Sequence, residues 1–105
     1  MRRLIILAAV ASGMPGSPAS PAGTTQAVLM KAIAFAPTQV TVHVGDTLEW
    51  ANQDIVAHTA TAKDKSWDVN VPPGKSGRLV MKAAGTFDYI CRYHPNMTGE
   101  IVVEP

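Results

Sequence analysis

Apolar and polar residues alternate with a period of two along most of the chain after residue 27. Apolar side chains recur at every second position in Val40–Val44, Leu48–Trp50 and Phe87–Cys91. This spacing places them on one face of a β-strand and does not match the helical period of about 3.6 residues. Turn-forming residues separate the runs, as at Gly45–Asp46 and Pro72–Gly74. The pattern predicts short strands that each bury one face.

Eight runs divide the chain into candidate strands. Short antiparallel strands with frequent turns are typical of a Greek-key β-sandwich or barrel. We therefore predict an all-β fold, a Greek-key arrangement of seven to eight strands. The candidate strands lie near residues 28–35, 39–44, 47–52, 56–61, 67–71, 77–82, 86–91 and 99–104.

The N-terminal segment has the order of a secretory signal. Two arginines precede the apolar run Leu4–Ala11, and a stretch rich in Pro, Gly, Ser and Ala follows. The apolar run is shorter than the roughly 18 residues that span a bilayer, so we expect export without a stable membrane span. Cleavage after Ala19, Ala22 or Ala27 fits, with a preference for the last two. We predict a signal peptide and leader over residues 1–27 and a periplasmic protein; the alternative is a cytosolic extension.

Residues 28–105 are enough for one domain with a modest core. Loss of two arginines with the leader leaves seven basic residues against eight acidic ones. Because nucleic-acid binding needs an excess of positive charge, we expect no nucleic-acid partner. We expect a monomer.

The single cysteine, Cys91, lies in the stretch "CRYHPNM". In an oxidising compartment an unpaired thiol is either buried and inert or held by a metal. His94 and Met97 follow Cys91 at three-residue steps, and Pro95 indicates a turn at the end of the strand. A thiolate, an imidazole and a thioether can therefore converge on one metal ion.

A fourth donor must come from elsewhere in the chain. His43 alternates with Val42 and Val44, so it should face solvent. His58 follows a turn and begins the next strand, where a loop at the end of the sandwich can bring it beside Cys91. We therefore prefer His58. Two imidazoles, a thiolate and an axial thioether are typical of copper electron-transfer sites, whereas zinc gains little from a thioether.

The chain resembles the cupredoxins, and within them the amicyanin-like branch, with plastocyanin and pseudoazurin more distant. The matching stretches are "FAPTQVTVHVGDTLEWANQD", "AHTAT" and "AGTFDYICRYHPNMTGEIVVEP". The spacing Cys-x-x-His-x-x-Met is the short ligand loop of that branch. The resemblance implies an eight-stranded sandwich that binds one type 1 copper ion through His58, Cys91, His94 and Met97. Relatives usually place an asparagine after the first histidine, where this chain has Thr59.

Four ligands leave no open position for a substrate, so we expect no enzyme. The resemblance implies that the protein shuttles single electrons between larger redox proteins, which dock transiently near His94. Pro95, Met97 and Pro37 are candidates for an apolar docking patch around it. Two alternatives stay open: a periplasmic copper carrier or sequestering protein with the same ligands, aided by extra thioethers such as Met30, and a metal-free binding module.

Overall fold

A computed structural model describes residues 23–105. These residues form nine β-strands, numbered here in chain order, and no helix. The bounds are β1 Thr25–Met30, β2 Phe35–Ala36, β3 Gln39–His43, β4 Thr47–Asn52, β5 His58–Ala62, β6 Asp68–Val71, β7 Ser76–Val80, β8 Gly85–Cys91 and β9 His94–Glu104.

The strands form two sheets with the orders β2-β1-β4-β7 and β3-β9-β8-β5-β6. The predicted all-β sandwich is confirmed, but the expectation that all strands pair antiparallel is wrong. Strand β1 pairs parallel with β4, and β3 pairs parallel with β9. Alternation determines which face of a strand is buried and carries no information on the direction of its neighbour.

Residues 23–105 contain nine strands rather than the predicted seven to eight, chiefly because the run predicted over 28–35 is divided. Its middle forms a turn in which Lys31 and Ala34 exchange backbone hydrogen bonds of 3.0 and 3.1 Å. Ala32 and Ile33 have φ values of 56° and 57°, a left-handed conformation that β-branched residues rarely adopt. The Asp54 carboxylate accepts both of their backbone N–H groups, at 2.8 and 3.0 Å, and so holds this turn.

The core lies between the two sheets and follows the predicted alternation. Trp50 and Leu48 of one sheet and Ile101 of the other are completely buried. Burial of side chains of this size stabilises the fold by about 1.5–3 kcal/mol each. Gly99 is required under Tyr89, because a Cβ atom at Gly99 would lie 2.5 Å from the tyrosine ring.

Strand direction brings three chain segments to one end of the sandwich. Strand β8 is antiparallel to both β5 and β9. The C-terminal end of β8, at Cys91, therefore lies beside the starts of β5 and β9, at His58 and His94. This end of the sandwich is called the site end below.

The predicted leader lies mostly outside the described residues, which begin at Gly23. Its last three residues, Thr25–Ala27, belong to β1 and pair with Thr47–Glu49. Within residues 23–105, no helix has the length and apolar character needed to cross a membrane.

Candidate metal centre

Three of the four predicted ligands converge at the site end. The donor atoms of His58, Cys91 and His94 all lie within 4.8 Å of one another. Cys91 Sγ is 3.7 Å from His58 Nδ1 and 3.6 Å from His94 Nδ1. The two imidazole rings meet edge to face, with centroids 5.1 Å apart and planes at 67°. One sulfur and two Nδ1 atoms therefore lie around a common point.

His43 faces solvent as predicted, whereas Met97, predicted both as a ligand and as part of an exposed apolar patch, is buried. Met97 lies in β9, three residues after His94, and is 2% exposed, so its thioether faces the protein interior. The His43 side chain is 64% exposed and lies 3.4 Å from the Glu104 carboxylate, at the end of β3. His43 is thus remote from the site end.

A carboxylate orients the buried His58 ring. Asp54 Oδ2 lies 2.7 Å from His58 Nε2, and His58 is completely buried. Hydrogen bonds from the Ile33 amide and the His58 ring hold the pKa of Asp54 below its ordinary value of 3.8. An ionised Asp54 accepts the Nε2 proton, which leaves the Nδ1 lone pair directed at Cys91. Asp54 is not among the site residues predicted from the sequence, where its one signal is its place four residues before His58.

Asn52 holds the loop that carries Asp54 and His58. Its side-chain amide donates to the carbonyls of Val56 and Val71, at 2.8 and 3.0 Å. Its side-chain oxygen accepts the Asp54 backbone N–H at 2.9 Å. Asn52 is 2% exposed, so these bonds form away from solvent. The loop is therefore fixed before any ligand reaches it.

Thr59 ties this loop to the Cys91 turn. Its backbone N–H donates to Cys91 Sγ at 3.3 Å, and its hydroxyl accepts the Arg92 backbone N–H at 2.8 Å. One threonine thus supplies both contacts, one from its backbone and one from its side chain. Cys91 and Thr59 have no solvent exposure. The Cys91 sulfur accordingly accepts a hydrogen bond in a dry environment, which would tune a metal bound to it.

The family of the chain follows from comparison with known proteins. The family model of the cupredoxin-like domain matches residues 3–103. The chain belongs to the cupredoxin family. Curated relatives include amicyanin-alpha of Methylorubrum extorquens, 33% identical over 81% of this chain and 76% of the relative. Amicyanin of Paracoccus denitrificans is 28% identical to this chain, over 92% of this chain and 79% of the amicyanin sequence.

Solved structures agree with this cupredoxin assignment. A Cu(I) structure of an amicyanin point mutant superposes with a TM-score of 0.67 at 27% identity, covering 74% of this chain and 80% of the other. The Cu(I) form of a second amicyanin mutant gives 0.67 at 26% identity, covering 82% and 86%. The donor set of this cupredoxin, a buried cysteine sulfur between two imidazoles, is suited to a single type 1 copper ion.

Proposed function

We propose that this cupredoxin carries single electrons between larger redox proteins. One type 1 copper ion would be held by His58, Cys91, His94 and Met97. The observation that carries the proposal is the pair of Nδ1 atoms 3.6 and 3.7 Å from the buried Cys91 sulfur. When bound, the copper supplies a one-electron couple between its cupric and cuprous states.

Residues around the donors support electron transfer rather than catalysis. Asp54 orients His58, and Thr59 holds Cys91 Sγ, so the donors need little movement when the charge of the site changes. With Met97 as the fourth donor, no position would stay open for a substrate. A rigid donor set with no open position suits an electron carrier better than an enzyme.

Exposed apolar side chains at the site end support a transient docking surface. Of the three clustered donors, His94 alone is partly exposed. Ile33 is 44% and Ile55 is 94% exposed, on the two loops that Asp54 joins. Pro95 is exposed, as expected, but Met97 is buried and cannot contribute to such a surface. We propose that a redox partner docks on these residues beside His94, with the protein acting as a monomer.

Export to the periplasm is the remaining part of the proposal. Residues 25–27 pair with β4, so cleavage after Ala27 would remove part of β1. The pairing favours cleavage after Ala22, which leaves Thr24 free to donate its N–H to Asp46 Oδ1. The mass of the mature protein recovered from the periplasm tests this cleavage site. A mature chain that begins at Val28 would contradict it.

Addition of cupric ion to the purified protein tests the function. We expect an intense blue charge-transfer band that Cys91→Ser abolishes and the control His43→Gln retains. Reversible reduction and reoxidation with copper retained would then support the shuttle. A blue protein that releases its copper on each reduction would indicate the carrier instead. Met30 and Met81, 0% and 3% exposed, pack in the core and offer that carrier no accessible thioether.

A further inference from the structure

A closed ring of hydrogen bonds joins the Cys91 turn to strands β5 and β6. The Arg92 backbone N–H donates to Thr59 Oγ1 at 2.8 Å, and Thr59 Oγ1 lies 2.9 Å from Thr61 Oγ1. The Thr61 hydroxyl donates to Asp68 Oδ1 at 2.5 Å, and Arg92 Nε donates to the same oxygen at 3.1 Å. These four residues form what is called the hydroxyl ring below, which begins and ends on Arg92.

The charge of Asp68 determines which way each hydroxyl in the hydroxyl ring points. Hydrogen bonds from Thr61 and Arg92 hold the pKa of Asp68 below its ordinary value of 3.8, and an ionised carboxylate only accepts. Because the Thr61 hydroxyl donates its proton to Asp68, its oxygen accepts a hydrogen bond from the Thr59 hydroxyl. Thr59 Oγ1 then keeps its lone pairs for the Arg92 amide. All hydroxyls point toward Asp68, so successive bonds polarise and strengthen one another.

Thr59 therefore makes two hydrogen bonds to the Cys91 turn, one with the Cys91 side chain and one with the Arg92 backbone. Its backbone N–H donates to Cys91 Sγ at 3.3 Å, while its hydroxyl holds the Arg92 N–H. We propose that Thr61 and Asp68 are positioning residues that hold Thr59 against the Cys91 sulfur through the hydroxyl ring. The redox consequence rests on the proposed function: a hydrogen bond to the thiolate sulfur withdraws electron density and favours the reduced state.

The two threonines of the hydroxyl ring are less exposed to solvent than the Arg92–Asp68 ion pair. The Arg92 and Asp68 side chains are 44% and 50% exposed, and exposed ion pairs contribute little by themselves. Thr59 is completely buried, and Thr61 is half-buried. Loss of the Thr61 hydroxyl should accordingly disturb Cys91 more than loss of the Arg92 guanidinium.

The central experiment compares Thr61→Val with Thr61→Ser. Thr61→Val removes the hydroxyl but leaves Arg92 and Asp68 able to pair, whereas Thr61→Ser keeps the hydroxyl. In the metal-free protein, we expect Thr61→Val to raise the hydrogen-exchange rate of the Arg92 amide about three- to tenfold, the equivalent of weakening one hydrogen bond. Thr61→Ser should restore the wild-type rate. Thr41→Val, at an exposed position of β3, is the control.

The copper-loaded protein provides a second readout of the same ring. We expect Thr61→Val to shift the redox equilibrium with a fixed partner about three- to tenfold toward the oxidised form and to change the energy of the blue band. Arg92→Gln should shift it less. Asp68→Asn, at a half-exposed position, provides the same test if Thr61→Val does not fold, because an amide can donate to Thr61 and reverse the hydroxyls.

The two proposals fail in different ways. A wild-type protein that never turns blue overturns the proposed function, while the Arg92 exchange rate still tests the hydroxyl ring. A blue protein in which Thr61→Val, Asp68→Asn and Thr41→Val share the wild-type exchange rate, band and redox equilibrium overturns the positioning role. An equal or larger redox shift in Arg92→Gln would assign the effect to the ion pair and overturn it as well.

Discussion

The two chain segments that build the metal centre differ in how firmly the protein holds them. The β4–β5 loop presents a completely buried His58 whose ring is bonded to Asp54, and Asn52 braces that loop through three hydrogen bonds. The β8–β9 turn leads into a partly exposed His94, whose Nδ1 lies 3.6 Å from Cys91 Sγ. One imidazole is built into the interior and the other faces the surface.

This difference shows how a small β-sandwich can meet two requirements of an electron-transfer site: one donor that moves little and one donor near the surface. A buried, braced donor limits rearrangement when charge changes, since its hydrogen bonds are already made. In the proposed function, a partly exposed donor would give an electron a short path to a redox partner docked at the surface. The asymmetry also predicts that equal substitutions in the two segments have unequal effects.

Removal of each imidazole in turn should give the largest contrast. We expect both His58→Gly and His94→Gly to lose the blue band, because each removes a donor. Added imidazole should restore the band in His94→Gly, since the vacated space opens to solvent. In His58→Gly the braced loop must first open, which costs at least one hydrogen bond and raises the imidazole concentration needed by about tenfold or more. Optical titration with imidazole measures the concentration that restores the blue band in each variant.

Equal rescue of the two variants would show that the β4–β5 loop is no more closed than the β8–β9 turn. Circular dichroism of each variant is the control for folding, because His58→Gly also leaves Asp54 without its ring partner. A variant that has lost its β-sheet spectrum cannot enter the comparison, and His58→Ala then replaces His58→Gly.

Two asparagines provide a matched test of stability. Asn52→Ala leaves the Asp54 amide and the Val56 and Val71 carbonyls without their buried partner, and we expect it to lower the free energy of unfolding by about 2–3 kcal/mol. Asn96→Ala changes an exposed side chain of β9, two residues after His94, and should alter the free energy of unfolding by less than about 0.5 kcal/mol. Urea unfolding of the metal-free proteins measures the difference. Similar values would mean that the loop is not braced as described.

Local pattern in the sequence predicted the parts of the molecule that depend on near neighbours. The pattern predicts the strand at 47–52 correctly because alternate residues of β4 are buried, with half-buried residues between them. The Cys91 turn was recognised because its donors lie close in sequence. His58 needed one step of topology, the antiparallel pairing of β5 with β8.

The remaining features depend on contacts that no local pattern encodes. The break in the run 28–35 is held by Asp54, about twenty residues away, through the Ala32 and Ile33 amides. Asp68 reaches the Cys91 turn only because β6 lies beside β5. Such carboxylates look like ordinary turn and surface residues until the tertiary structure shows which backbone or side-chain donors they face.

The far end of the sandwich offers the smallest expected effect and a control for both segments. Asp46 accepts the His43 and Thr24 backbone N–H groups at 2.8 and 3.0 Å. The His43 amide is the main cause that lowers the pKa of Asp46 below its ordinary value of 3.8. A lowered folded pKa means that ionised Asp46 stabilises the fold above pH 3.8, and that this contribution disappears as the pH falls through the folded pKa.

Asp46→Asn should therefore be modestly less stable than the wild type at neutral pH, and the difference should shrink as the pH falls below about 4. Urea unfolding from neutral pH to about pH 3 measures it, with His43→Gln as the control because the His43 ring lies 4.0 Å from the same carboxylate. The blue band at neutral pH should stay unchanged, since Asp46 lies at the opposite end from Cys91. If the stability difference between wild type and Asp46→Asn instead grew as the pH fell, the pKa of Asp46 would not be lowered by folding. A changed band would mean that the two ends are coupled and that the asymmetry of the metal centre is not a local property of its two segments.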